Sequence, residues 1–251
     1  MNRIQTNRLA VYAVIVSASL IGGAGALLFA AFLIAGPFTF ISIDTSETNR
    51  LLLDGLLSML FFVQHSGMVR RSFRARLSSM LSSDYHGAVY TVASGAALTL
   101  LVLAWQTMPT VLVAIPDEIR WLFGIFSLLA IVGTFWGVRS LGAFDAYGVN
   151  PLVARLGGPQ PKSAELVIRG PYVWVRHPLY SFMLVLIWAA PQMSADRLLL
   201  NVLWTSWIVL GSYLEERDLV ATFGETYRRY QQTVPMLIPW RGRCSRPVHS
   251  N

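Results

Sequence analysis

The chain is poor in almost everything that polar chemistry uses. Its 251 residues hold one cysteine, Cys244, so neither a disulfide framework nor a cysteine-bound zinc can organise the fold. Its four histidines, His65, His86, His177 and His249, lack the His-Glu-x-x-His pairing of a metal-dependent hydrolase, and no metal site is expected. Walker sequences, a strand-borne Gly-x-Gly-x-x-Gly and a Gly-x-Ser-x-Gly elbow are missing, which excludes P-loop, Rossmann and α/β-hydrolase chemistry. Charged residues make up 13% of the chain against 54% hydrophobic. With a mean hydropathy of +0.51, that balance excludes an ordinary soluble domain and marks an integral membrane protein. The net charge of +7 does not point to nucleic acid, because the basic residues flank apolar runs instead of forming an aromatic-interleaved face.

What is present is a series of apolar runs. Crossing the hydrocarbon takes about 20 apolar residues in a helix, and six runs qualify: 9–36, 51–69, 86–107, 119–139, 178–193 and 198–214. Alternating strand patterns are absent, so the expected fold class is all-α, a polytopic membrane bundle of about six transmembrane helices. Arg3 and Arg8 before the first run imitate a signal peptide, but the run continues to about Ile34 without a cleavage site and reads as a signal anchor. Ala18, Gly22, Ala26 and Ala30 put a small-residue ridge along it.

Basic residues set an orientation. Arg70, Arg71, Arg74 and Arg76 follow the second run, Arg155, Lys162, Arg169 and Arg176 lie between the fourth and fifth, and Arg217, Arg228, Arg229, Arg241, Arg243 and Arg246 follow the sixth. The opposite loops hold Arg50, Arg120 and Arg197 beside Asp44, Glu47, Asp117, Glu118 and Asp196, so both termini are expected in the cytoplasm. Glycine and proline punctuate residues 140–177, which are expected to form a structured cap. The whole chain, 1–251, reads as one domain: a four-helix part at 1–140, the cap and a helical hairpin within 141–240, and a polar tail at 241–251.

Polar residues concentrate in two stretches flanking that hairpin, Arg169-Gly-Pro-Tyr-Val-Trp-Val-Arg-His-Pro-Leu-Tyr180 and the segment from Leu214 to Tyr230. Pro178 suits the first turn of a helix, and the positive helix end together with Arg176 favours an anionic group such as a carboxylate. Interfacial anchoring is the alternative for Arg176 and Tyr180. Glu215 and Glu216 follow the last apolar run and lie about 100° apart on a helix, so at most one points squarely into a cleft; a solvated helix end is the alternative. Asp54 and His65 fall on the same side of the second helix, where His65 either helps to remove a substrate proton or simply hydrogen-bonds a neighbour.

The run Arg169-Gly-Pro-Tyr172, Arg176-His177-Pro178-x-Tyr180, Glu215-Glu216, Leu219, Phe223-Gly224-x-x-Tyr227-x-x-Tyr230, Val234-Pro235 and Ile238-Pro239 resembles the C-terminal half of the isoprenylcysteine carboxyl methyltransferase superfamily, membrane enzymes that use S-adenosylmethionine. Phe62-Val-Gln-His-Ser-Gly-Met-Val-Arg70, Phe73, Trp105-Gln106 and Phe144-Asp145-x-x-Gly148 resemble the branch with bacterial methanethiol S-methyltransferases, which make dimethyl sulfide. That branch usually reads Asn-His-Phe-Asp in the cap where this chain has Gly142-Ala-Phe-Asp145, and Thr233 stands where a basic residue often precedes the Val-Pro.

The resemblance implies an S-adenosylmethionine pocket lined by Tyr172, Arg176, His177, Pro178 and Tyr180 and closed by Glu215 and Glu216. In that reading Arg176 suits the methionine carboxylate, the glutamates suit its amino group or ribose, and aromatic faces tolerate the sulfonium. His65, Arg70 and His177 are the candidates for favouring the thiolate of a small thiol substrate. The implied setting is the lipid of a bacterial inner membrane, crossed several times. A methyltransferase acting on a prenylcysteine carboxylate or a lipid-like amine is the alternative, with Thr233 arguing against carboxylate recognition; a catalytically inactive membrane subunit is the third reading. Glu216→Ala or His177→Ala is expected to weaken cofactor binding and leave the bundle folded.

Overall fold

The computed structural model describes residues 2–142, 144–161 and 165–241, with side chains from residue 8 onward; Cys244, Lys162, Arg243, Arg246 and His249 lie outside it. Its elements are α1 (Asn2–Ser17), a π turn (Ala18–Gly22), α2 (Gly23–Ala35), α3 (Glu47–Met68), α4 (Arg71–Ser78), α5 (His86–Ala104), β1 (Val111–Ala114), α6 (Asp117–Leu141), α7 (Asn150–Arg155), a 3-10 turn (Gly170–Val173), α8 (Pro178–Trp188), β2 (Gln192–Ser194), α9 (Ala195–Phe223) and α10 (Glu225–Thr233). Among the described residues, five stretches are long and apolar enough to cross a membrane: Arg8–Ala35, Glu47–Met68, Ser83–Ala104, Asp117–Leu141 and Ala195–Phe223. Large side chains such as Leu27, Val63, Leu128, Phe135 and Leu210 are exposed on them, which fits helices solvated by lipid. The protein is a multi-pass integral membrane protein with a helical-bundle fold. The chain forms two compact units, Met1–Pro109 with Asp145–Ser163, and Thr110–Phe144 with Ala164–Asn251.

In the first unit, α2 and α3 pack on α5. Helices in lipid gain no hydrophobic drive toward one another, so close approach of small residues matters. A Cβ on Gly25 would run into the backbone of Gly95, and one on Gly95 into Ile21 and Gly22, so only glycine permits this helix contact. The buried face runs through Ala18, Gly22, Gly25 and Phe29, and Ala26 is exposed. That corrects the expected ridge: Gly25, and not Ala26, is the position that meets α5.

Asp54 on α3 is fully buried and its Oδ1 accepts the Gln106 backbone N–H at 2.9 Å. Gln106 in turn accepts from Ile43 N–H and donates to the carbonyls of Ile41 and Ala104. The acid inside the second span thus pins the chain that leaves α5. Asp145 accepts from the N–H groups of Val149 and Asn150 and caps α7, so this part of the expected cap belongs to the first unit.

In the second unit, β1 and β2 pair antiparallel, which places the starts of α6 and α9 at one end. Helix α8 runs back along α6 toward that end: Leu179 lies against Gly137 and Phe182 against Gly133. The expected fifth span, 178–193, is therefore a return traverse but not a spanning helix, because α8 ends at Trp188 and the chain continues to β2. Eleven helical residues rise only about 16 Å, roughly half the hydrocarbon thickness. The α8 C-terminus is held by Arg197, whose Nη2 donates to Ile187 O at 2.8 Å. The two-stranded sheet itself was not foreshadowed by any alternating pattern.

Candidate functional site

The site grows from three elements of the second unit. Gly170, at a φ of 61°, turns the chain in a conformation that other residues resist, and the following 3-10 turn delivers Tyr172. Pro178 occupies the first position of α8 with His177 as the residue before it, which fixes Arg176 and His177 at the helix mouth. Helix α9 continues to Phe223, so Glu215 and Glu216 lie inside a helix and not at its end as their sequence position implied. Their angular offset separates them: Glu216 is buried, and Glu215, with 45% of its side chain exposed, lines a cavity.

Glu216 is the centre of a buried polar cluster. Its Oε1 accepts Arg176 Nε at 2.6 Å and lies 3.2 Å from His177 Nε2, and its Oε2 accepts Gln231 Nε2 at 2.8 Å. Arg176 also donates through Nη1 to the carbonyls of Gln231 and Val234. Three contacts from the strap after α10 complete the corner: Arg176 N–H to Pro235 O, His177 N–H to Met236 O and Ser181 Oγ to Leu237 O. The anion expected beside Arg176 is thus supplied by the protein itself. Such a pair is sustained in a dry corner by partners for its remaining groups, and here main-chain carbonyls take Arg176 Nη1 and Gln231 serves Glu216 Oε2.

In front of this cluster lies a cavity of about 390 Å³, within the range of cofactor pockets, at the end of α6 and α8 remote from the sheet. Tyr172, Arg176, His177, Pro178, Tyr180 and Glu215 line it, and so do Phe144, Glu165, Phe223, Tyr227 and Tyr230. The His177 and Tyr180 rings stack at 5.6 Å, and Tyr230 donates to Tyr172 O at 2.5 Å. Burial, with Glu215 adding repulsion, pushes the Tyr172 hydroxyl up to about 12. Burial raises the Tyr227 hydroxyl as well, with the Glu216 carboxylate contributing. Both phenols stay neutral donors at physiological pH.

Of the residues singled out in the sequence, Tyr172, Arg176, His177, Pro178, Tyr180, Glu215 and Glu216 meet around this cavity and cluster. His65 and Arg70 belong to the first unit. His65 contacts the Tyr90 hydroxyl at 2.7 Å from Nε2 and Ser94 Oγ at 3.4 Å from Nδ1, facing α5 as Asp54 does. Arg70 is exposed just before α4. Thr233 turns its hydroxyl back to the carbonyls of Arg229 and Tyr230 and is not part of the cavity wall, so it carries no argument about the acceptor. Glu165 and Gln231 were missed. Tyr227 and Tyr230 were quoted in the motif without a role, although their spacing of three puts both on one face of α10.

Residues 52–218 match the NnrU protein family. The chain belongs to the NnrU family. Over 199 residues this NnrU-family chain is 34% identical to Methanethiol S-methyltransferase 1 of Bradyrhizobium diazoefficiens, covering 79% of this chain and 70% of that one. It is 36% identical over 197 residues to the Methanethiol S-methyltransferase of a Pseudomonas species, covering 76% and 74%. It is also 27% identical over 199 residues to mouse Nurim, with 70% of each chain covered. No solved structure matches it. The expected membership of the membrane methyltransferase superfamily holds, and this NnrU-family protein is a methyltransferase.

Proposed function

We propose that the protein transfers the methyl group of S-adenosylmethionine to a small thiol, methanethiol in particular, giving dimethyl sulfide. The observation that carries this reading is the aromatic cavity in front of the Arg176–Glu216–His177 cluster, found in a chain whose relatives include methanethiol S-methyltransferases. The donor set fits: carboxylates at Glu165 and Glu215 can take an ammonium or ribose hydroxyls, and the faces of Tyr172, Tyr180, Phe223 and Tyr227 suit a sulfonium. When bound there, S-adenosylmethionine supplies an electrophilic methyl carbon on a cationic sulfur.

The protein's own part is positioning and exclusion of water. Glu216 holds Arg176 and His177, and through them the mouth of α8, in one arrangement. Tyr172 and Tyr230 tie the 3-10 turn to α10, which keeps the aromatic wall closed. His65, Arg70 and His177 are the proposed groups for favouring the thiolate, with His65 able to accept a proton and Arg70 or His177 able to stabilise the anion. The pocket and, as read from the loop charges, both termini are proposed to face the cytoplasm, because Arg139, Arg169, Arg217, Arg228 and Arg229 lie toward the pocket's end of the second unit against Arg120 and Arg197 toward the sheet.

A second reading, a lipid-like acceptor, is favoured by an apolar groove of about 680 Å³ on the same unit, walled by Trp136, Trp174, Phe182, Trp188 and Leu237. One experiment separates the two. Purified protein in detergent is given S-adenosylmethionine with methanethiol or with a prenylcysteine, and dimethyl sulfide is measured by headspace gas chromatography. Dimethyl sulfide above the no-enzyme control supports the thiol reading; its absence with methylated prenylcysteine replaces that reading by the second, and no product from either overturns both.

A further inference from the structure

Among the described residues, the cavity wall carries an excess of negative charge: two carboxylates, Glu165 and Glu215, and one permanent cation, Arg176. Arg176 does not balance them, because its Nε is engaged by buried Glu216 at 2.6 Å and its Nη1 by two carbonyls. Glu215 has His177 Nδ1 at 3.8 Å, and Glu165 forms no ion pair among the described residues. With Arg176 and Glu216 cancelling, the cavity presents Glu165 and Glu215 to whatever enters it.

We infer that this imbalance makes the cavity selective for charge, retaining the sulfonium form of the donor and releasing its neutral thioether product, with Glu165 a specificity residue outside both sequence motifs. The inference rests on the S-adenosylmethionine reading. In methyl transfer the acceptor sulfur bonds the methyl carbon, the carbon–sulfonium bond breaks with its electron pair left on the donor sulfur, and the thiol proton goes to a base or to water. The donor therefore loses one positive charge, while its ammonium and carboxylate are unchanged. Shape hardly distinguishes the two forms; charge does. Two carboxylates in a partly desolvated aromatic cleft favour the cation by Coulomb attraction, and the tyrosine faces act in the same sense. The same preference would empty the site after each turnover.

The test is calorimetric titration of the purified full chain with S-adenosylmethionine and, separately, S-adenosylhomocysteine. The wild type is expected to bind the sulfonium more tightly. Glu165→Gln should weaken sulfonium binding by about three- to tenfold, the low end reflecting an exposed carboxylate, and shift thioether binding by less than about twofold. Glu165→Lys should narrow the preference further, which checks the sign of the effect in a second variant. Equal weakening of both ligands, or an unchanged ratio in both variants, overturns the inference and leaves the donor reading standing. A wild type that binds neither ligand overturns the donor reading and the inference with it.

Discussion

Arg176 and Glu216, 40 residues apart in sequence, meet at 2.6 Å with 9% and 8% of their side chains exposed. Removing one partner of such a buried pair strands the other charge, a loss of about 3–5 kcal/mol, whereas replacing both with apolar residues is far less damaging. This changes the expectation that Glu216→Ala would spare the fold. We expect Glu216→Ala to lower the thermal unfolding temperature in detergent sharply, and Arg176→Met with Glu216→Leu to recover much of the loss. A double variant as unstable as the two single losses added together would show that the pair is not coupled.

Gln231 presents a milder case. Its side chain satisfies Glu216 Oε2 at 2.8 Å while its carbonyl takes Arg176, so the residue fastens α10 to the cluster at two points. Gln231→Leu removes only the side-chain donor and should cost about 1–3 kcal/mol, with Gln231→Glu at least as costly because it brings a second carboxylate to Glu216. Thermal unfolding of the two variants checks this; a neutral effect of both would mean that Oε2 is served by water.

Much of this architecture was legible because it is periodic or local. Apolar runs locate the long helices, and Pro178 locates the start of α8 from one residue's chemistry. The motif residues from Tyr172 to Tyr180 converge because a single turn and helix mouth carry them. What was not legible depends on pairing across the chain. Gln231 and Glu165 look like ordinary polar residues until α10 and the segment before the 3-10 turn are folded against α9. The end of α8 at Trp188 follows from the β1–β2 pairing, which no local pattern announces. Glu216 was expected to close the pocket together with Glu215; its role as the buried counterion of Arg176 became visible only with the helix that continues beneath it.

Burial and Glu215 hold the Tyr172 hydroxyl at about 12, above the usual 10. The folded state therefore keeps a proton that the unfolded chain releases, and stability is unaffected below about pH 10 and falls as pH rises from about 10 to 12. Ultraviolet difference spectra should show Tyr172 ionising in the upper part of that window, and Tyr172→Phe should remove that step. Ionisation of the missing group at about pH 10 would mean that Tyr172 is open to water.

Gly95 tests the first unit. A Cβ there would collide with Ile21 and Gly22, and no side chain can yield because the obstacle is backbone. Gly95→Val should overpack the α2–α5 contact at a cost of at least about 1–3 kcal/mol, and Gly95→Ala should show a smaller loss of the same sign. Gly55, whose Cβ would meet nothing within 4 Å, is the control, and Gly55→Ala should be neutral or stabilising. Equal behaviour at the two positions would rule out the close helix contact.

His65 bears on the acceptor and not on the donor. It lies in the first unit, while the donor cavity is built from the second, and its ring is held by the Tyr90 hydroxyl at 2.7 Å with Ser94 nearby. A histidine that takes the thiol proton acts on the rate; a histidine that merely joins α3 to α5 acts on stability. The first role predicts that His65→Ala lowers kcat by about a hundredfold, the usual contribution of a positioned base, and leaves the S-adenosylmethionine Kd within about twofold. In that role raising the pH should restore part of the rate, because more of the thiol is then ionised without help. Tyr90→Phe removes the hydroxyl that holds the ring and should shift the pH profile of kcat with a smaller loss of rate. Steady-state kinetics across a pH series, with calorimetry on the same preparations, separates the two roles: a lowered unfolding temperature together with unchanged kcat in both variants would make His65 a structural hydrogen bond between helices and return the thiolate to Arg70 or His177.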